Sequence, residues 1–426
     1  MIRYALGALL LAGICSSGAA AVTTATPRIS VGEAYTDNID LTPDDEAHDF
    51  ISTISPGVDI EMIGQLSTVS LSYTPTYASY MRSPENDTLR HNATLGASRQ
   101  LSRSTRFEIS NDYLYTEDPL YDTEDPLSEA DTTVRQGRET YTANSAELAV
   151  INQFGPENSV ELGYAYDFLE NSSPALEDHD SHRPSLTVTY WPDPGQYGSE
   201  SEVSYTRRYF EDSENYNDLL GRLRLIRRLG PHLDVYAEYT HEWTEYVEAG
   251  ADYQVYTPLV GFAWDEYAHS TIAASFGYFF QDSDGMETES GSVGSIEAIY
   301  NWRDRHSLSF LGDVGYDRAD AGPENLGFTT FYSVMGVLDY QLGRRWASNL
   351  SVGFRRNIYT AEDPDREDSI WRTSAGLAYQ PSTWMVVEAG YAFRKLNSNI
   401  NENDYTENRA FINVTLSPRQ PVVVSR

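Results

Sequence analysis

The chain has 426 residues, with 30 Lys+Arg against 64 Asp+Glu for a formal charge of −34, and its 12% aromatic content is dominated by 31 Tyr. That acidity excludes nucleic acid as a partner and disfavours anionic headgroups, because phosphates would be repelled. The 40% hydrophobic fraction is low for a globular chain and the aromatic content too high for a disordered one, so the chain folds with unusually few apolar residues, and its Tyr, Val, Thr and Ser are those of strands.

Residues 1–21 read as a cleaved secretory signal peptide: Arg3 supplies the positive start, Ala5 to Ile14 the apolar stretch and Ala19-Ala20-Ala21 the cleavage site. The apolar run is too short for a permanent helical span. Cys15, the only cysteine, lies within it and follows the bulky Ile14, so neither a lipid anchor nor a disulfide is expected in the mature chain.

Beyond the leader no run of 18 apolar residues occurs, while period-2 alternation recurs throughout. Val69, Leu71, Tyr73, Pro75 and Tyr77 alternate with Ser70, Ser72, Thr74 and Thr76, which puts an apolar face and a small polar face on one strand. Val160, Leu162, Tyr164, Tyr166 and Phe168 repeat the pattern, as do Leu233/Val235/Tyr239, Leu350/Val352/Phe354 and Ile412/Val414/Leu416. The pattern predicts strands near 28–36, 49–62, 66–80, 88–98, 107–116, 139–151, 159–169, 182–191, 199–210, 216–226, 233–244, 253–264, 270–281, 290–301, 307–316, 326–341, 347–359, 369–379, 384–396 and 405–416. These are longer than soluble strands and suit tilted membrane crossings of about 9–11 residues.

The connections alternate in length. Tight turns such as Ile63-Gly64-Gln65, Leu229-Gly230-Pro231 and Leu342-Gly343-Arg344 follow even-numbered strands, whereas longer segments, 117–138 the longest, follow odd-numbered ones. That is the plan of an all-β, single transmembrane antiparallel up-and-down barrel of about 18–20 strands, with short periplasmic turns, long acidic extracellular loops and both mature ends in the periplasm. Charge divides the same way: the ten long connections hold 38 acidic residues against Arg82, Arg135, Arg138, Arg318 and Arg366, a net of −33. The barrel spans 22–417, and 418–426 forms a short tail.

Within the longest connection, Thr116-Glu117-Asp118-Pro119-Leu120 is echoed by Thr123-Glu124-Asp125-Pro126-Leu127, a solvated surface loop or a lid. No histidine has zinc-ligand spacing; His179/His182 is a weak metal pair, and His241 between Glu238 and Glu242 is the one strand histidine worth testing as a catalyst, a lumen or girdle residue being the plainer assignment. Asp282-Ser283-Asp284-Gly285 lacks the spacing of a calcium loop, so no cofactor is expected beyond weak, diffuse divalent-cation binding by the acidic loops. No enzyme is indicated. Trp191, Trp243, Trp264, Trp302, Trp346, Trp371 and Trp384 lie beside connections, where a membrane-interface belt is expected and sugar-stacking platforms are the alternative.

Residues opposite the apolar face should line the lumen: Arg208, Arg222, Arg224, Arg355, Arg372 and Arg394, with Glu202, Glu238 and Glu388, joined by Glu161 and Asp234. Such a set forms either a salt-bridge ladder or a selective lining for an anionic or polyhydroxylated solute.

Two stretches carry a resemblance: Pro27-Arg28-Ile29-Ser30-Val31-Gly32-Glu33-Ala34-Tyr35-Thr36-Asp37-Asn38-Ile39 with Ser55-Pro56-Gly57-Val58, and Asn403-Asp404-Tyr405-Thr406-Glu407-Asn408-Arg409-Ala410-Phe411-Ile412. Together they resemble the putative beta-barrel porin 2 family of outer-membrane proteins. The resemblance implies a role in exopolysaccharide biosynthesis or PEP-CTERM systems, with outer-membrane lipid and lipopolysaccharide around the barrel and a polysaccharide chain and periplasmic export components as partners. General diffusion of small solutes and a non-transporting acidic surface barrel are the alternatives. Unlike many barrels, the chain continues from Pro418 to Arg426 past its last strand.

Overall fold

A computed structural model describes residues 21–44, 46–119, 135–193, 195–247, 252–266, 269–283, 289–302, 305–319, 326–360 and 365–425. Residues 1–20, the second copy of the near-repeat and the 284–288 segment lie outside the described residues.

Twenty strands close one barrel: β1 Val22–Thr36, β2 Asp49–Ile63, β3 Ser67–Tyr80, β4 Thr88–Gln100, β5 Thr105–Thr116, β6 Tyr141–Gln153, β7 Ser159–Asn171, β8 His179–Asp193, β9 Tyr197–Phe210 and β10 Tyr216–Arg228 make the first half. The second half is β11 Leu233–Tyr246, β12 Tyr253–Glu266, β13 Ser270–Ser283, β14 Glu289–Trp302, β15 His306–Ala319, β16 Gly327–Gln341, β17 Trp346–Tyr359, β18 Arg366–Ser382, β19 Met385–Ser398 and β20 Tyr405–Leu416. Among the described residues there is no α-helix, only single 3-10 turns at Pro84–Asn86 and Asn401–Asn403. Each strand pairs antiparallel with its sequence neighbours, and β1 pairs with β20 from Ile29↔Leu416 to Thr36↔Arg409, which closes the barrel and removes both open edges. At ordinary strand spacing and tilt, twenty strands enclose a barrel about 40 Å across between backbones.

The alternation decides which face meets lipid. Val69, Leu71, Tyr73 and Tyr77 of β3 face outward, while Ser72 and Thr74 reach inward to Arg28, which also pairs with Asp59. A one-residue slip would put those hydroxyls in the membrane, so burial against lipid fixes the register.

Two boundaries differ from the sequence expectation with consequences. β15 runs on to Ala319 and β18 begins at Arg366, so Arg318 and Arg366 belong to the barrel and not to acidic loops. Both are drawn in by carboxylates, Arg318 by Glu242 at 3.1 Å and Arg366 by Asp368 at 2.9 Å. The segment after Leu416 returns to the wall: Val422–Ser425 forms β21 and pairs with residues 23–25 of β1, extending the line of β20 down the same edge. Both described chain ends therefore lie at the end of the short turns.

Candidate functional site

The register puts Arg208, Arg222, Arg224, Arg355, Arg372, Arg394, Glu202, Glu238 and Glu388 on the inner face, but in separate places. On β9, β10 and β11, Arg222 bonds Glu200 at 2.8 Å and Glu202 at 2.6 Å, and Arg224 bonds Glu238 at 2.6 Å while lying 4.6 Å over the Tyr236 ring. Arg208 is higher on β9, its guanidinium over Tyr216. Across the barrel, Arg355 pairs with Asp317 over the Phe331 ring, Arg394 bonds Glu407 at 3.3 Å, and Arg372 stands opposite Arg394. Glu388 lines a separate turn-end recess of about 350 Å³ with Asp339 and Asn349. Arg222, Arg224, Arg355 and Arg394 lie against carboxylates and Arg208 against the Tyr216 ring, because lone guanidinium charges facing a wide lumen would repel one another; this weakens their claim as anion ligands.

Sequence reasoning missed the facing wall. Glu61, Glu108 and Glu147 join Glu161 around a recess of about 920 Å³ on the β2–β10 side, interspersed with Ser70, Ser110, Ser185 and Ser204. Parity could have found them, since Glu108 falls between the outward Phe107 and Ile109, and Glu147 between Ala146 and Leu148.

Among the described residues most core packing lies at the loop end. Buried apolar residues there include Ile51, Tyr80, Leu169, Phe210, Tyr216, Tyr253, Phe279, Tyr359, Ile370, Leu396 and Tyr405, each within a few residues of a strand's loop-side terminus. Segments from beyond the wall complete the layer. Ile39 packs with Ala34, Ile51, Ala78 and Tyr80, and Leu41 crosses to Ile370, Leu396 and Tyr405 on β18, β19 and β20. Leu41 takes a left-handed backbone, φ 55°, to make that turn inward.

The start of the β5–β6 connection is clamped beside it. Asp118 is 3.1 Å from Arg138 and 3.3 Å from Arg409, with Arg90 at 3.7 Å, and Glu117 holds Arg90 at 2.6 Å and the Tyr80 hydroxyl, which donates to it at 2.6 Å. Burial would raise the Asp118 pKa, but Arg138, Arg409 and Arg90 outweigh it and hold the carboxyl well below the usual range. Arg138 donates in turn to the Ile39 carbonyl at 2.7 Å, tying the two inward segments together.

Other candidates separate. His179 faces inward against Phe210, whereas His182 faces outward and contacts the Tyr164 hydroxyl, so one ion cannot bridge them. Among the described residues no cluster could hold a metal ion. His241 stacks on Tyr256 on the outer face, pointing away from Glu238 and Glu242, because neighbours in a strand alternate; it is a girdle residue. Of the tryptophans, Trp243, Trp346, Trp371 and Trp384 are exposed. Trp191 departs from the belt: it is buried beneath Arg228, over Gly198, where a Cβ would approach the indole to 2.4 Å.

A closed barrel with a lipid-facing apolar wall, a polar lumen and a packed loop end defines a porin-like outer-membrane protein. The profile of the family described as putative beta-barrel porin 2 matches residues 195–418, more than half of the chain, and the chain belongs to that family. No curated protein matches it in sequence. Its fold is similar to the FrpB iron transporter of Neisseria meningitidis (TM-score 0.55, 9% identity, 93% of this chain and 82% of that one). It is similar also to the ferric enterobactin receptor of Pseudomonas aeruginosa (TM-score 0.52, 9% identity, 93% and 80%) and to the siderophore receptor PirA of the same organism (TM-score 0.51, 10% identity, 93% and 80%). At such identities the likeness is one of fold.

Proposed function

We propose that the loop end faces the medium and the chain ends the periplasm, and that the barrel assists passage of a polysaccharide outward across the outer membrane. The observation that carries this is a recess along the β2–β10 wall where Glu61, Glu108, Glu147, Glu161, Glu202 and serine hydroxyls outnumber the single basic residue Arg183, with a packed layer at the loop end. Sugar hydroxyls donate to carboxylates and exchange hydrogen bonds with serine, so a neutral or cationic polymer is suited to the β2–β10 wall while a polyanion is repelled by it. A layer packed at the outer mouth suits a conduit loaded from the periplasm better than a permanently open diffusion porin. The partners are then a saccharide chain delivered by periplasmic export components, with lipopolysaccharide around the acidic loops.

A strain lacking the protein should secrete less polysaccharide; unchanged secretion would sink the export reading. In planar bilayers the purified protein should be mostly closed, with brief cation-preferring openings. Substituting Glu108, Glu147 and Glu161 together by Gln should move the reversal potential in a salt gradient towards zero. A steady, anion-selective conductance in the parent protein would overturn the assignment of that wall.

A further inference from the structure

The wall is incomplete between β14 and β15. Their ladder runs from Trp302↔His306 to Gly294↔Val314 and stops there, although β14 continues to Glu289 and β15 to Ala319. Above that point residues 289–293 remain paired only to β13, and residues 315–319 only to β16. Residues 315–319 of β15 have left β14 and, with residues 327–331 of β16, folded into the lumen. There Tyr316 packs on Phe279 at 5.0 Å and bonds Thr257 at 3.0 Å, Phe328 lies 5.8 Å from Tyr253, and Arg318 reaches Glu242 at 3.1 Å, Asp218 at 3.4 Å and the Tyr253 hydroxyl at 2.8 Å.

These inward side chains carry the parity of the outer face. Leu308, Phe310 and Val314 of β15 face outward, as do Tyr332 and Val334 of β16; the alternation continues through Tyr316 and Arg318 on one strand and Phe328 on the other. Extending the observed register would set Ser292 opposite Tyr316, Ser290 opposite Arg318 and Glu289 opposite Ala319. Small serines would then stand beside the two bulky side chains, with Tyr316 and Arg318 at the membrane rim where aromatic and snorkelling cationic residues belong. The sequence is thus compatible with two placements of these residues.

We propose that the upper ends of β15 and β16, residues 315–319 and 327–331, are the gate of this barrel: packed against β10–β13 they narrow the lumen, and with β15 zipped onto β14 they complete the wall and open the mouth. Closure rests on the Arg318 ion pairs and the aromatic cluster; opening exchanges them for the missing rungs of the β14–β15 ladder. Gly327, at φ 70°, begins β16 at its upper end, in a backbone conformation that favours glycine. The proposal rests on the reading that the lumen conducts.

Cys15 is the only cysteine in the sequence and lies in the leader, so disulfide trapping in the barrel meets no competing thiol. Two double variants of the full barrel, Ser292→Cys/Tyr316→Cys and Glu289→Cys/Ala319→Cys, test the zipped register; opposite residues of antiparallel strands lie within disulfide reach. Under mild oxidation in vesicles each pair should crosslink, conductance in planar bilayers should rise, and dithiothreitol should reverse both. Arg318→Ala without a crosslink should raise the open fraction about tenfold, the factor matching loss of one charge-assisted hydrogen bond. Failure of both pairs to crosslink overturns the movement, and crosslinking with unchanged conductance overturns the gate. Asp118→Ala separates the two readings: if it conducts while the trapped barrels do not, the gate alone fails, and if neither conducts, the conducting reading fails with it.

Discussion

Asp118→Ala is expected to release the loop-end layer. It leaves Arg138, Arg409 and Arg90 facing one another at a buried position, and removing one partner from such a network costs about 3–5 kcal/mol, most of it from uncompensated charge. The barrel itself should survive, because its twenty ladders do not depend on this contact. What should be lost is the seating of Ile39 and Leu41, which hang on Arg138. Limited proteolysis of reconstituted vesicles should then cut the β1–β2 connection faster than in the parent, and bilayer recordings should show longer openings; unchanged cleavage and conductance would show that the clamp holds nothing shut.

The same clamp sets a pH dependence. The Asp118 carboxyl is held well below its ordinary value of about 3.9, so the released state takes up the proton more readily than the clamped one. The clamp's contribution is therefore complete above about pH 5 and declines as the pH falls below about 4 towards the depressed value. Protease protection should be flat from neutral to mildly acidic pH and fall only in strong acid, whereas Asp118→Ala should be unprotected throughout.

Phe279→Ala is expected to destabilise the protein by about 3–5 kcal/mol, the range for emptying a buried aromatic site. Phe279 is 2% exposed, lies 6.0 Å from the Phe328 ring and shares one apolar cluster with Tyr253, Val255 and Val293. Its neighbour Phe280 is 48% exposed on the lipid face. Phe280→Ala should cost far less, because the side chain loses mainly lipid contacts that other tails replace. Unfolding in guanidinium, followed by tryptophan fluorescence in vesicles, should rank the two substitutions in that order. Equal losses would mean that the inner layer is no better packed than the membrane face.

Much of the architecture was legible because a membrane barrel repeats one local rule. Each strand needs apolar residues on its lipid face at period two, as in Val69/Leu71/Tyr73, and the contrast between Leu229-Gly230-Pro231 and the long acidic connections marks the two ends. The same parity put Arg222, Arg224 and Glu238 on the inner face. It did not say which of them meet, since the partners come from three strands, β9, β10 and β11, and the stagger of the ladders sets the distances. Trp191 was misassigned because proximity to a connection looks the same in sequence whether the indole meets lipid or lies under Arg228.

The run of alternating strands, their apolar face and the contrast of short turns with long acidic connections were legible in the sequence alone, because they depend on neighbours two residues apart and on summed charge, whereas the count, left at 18–20, is fixed at twenty only by the β1–β20 pairing. The inward folding of Leu41, the three-arginine clamp on Asp118 and the departure of Tyr316 and Arg318 from the outer face were decided only by the tertiary structure. Parity assigns Tyr316 and Arg318 to the membrane side. It is overridden there because Asp218, Glu242, Tyr253 and Phe279, remote in the chain, offer charge and contact that one strand's pattern cannot register.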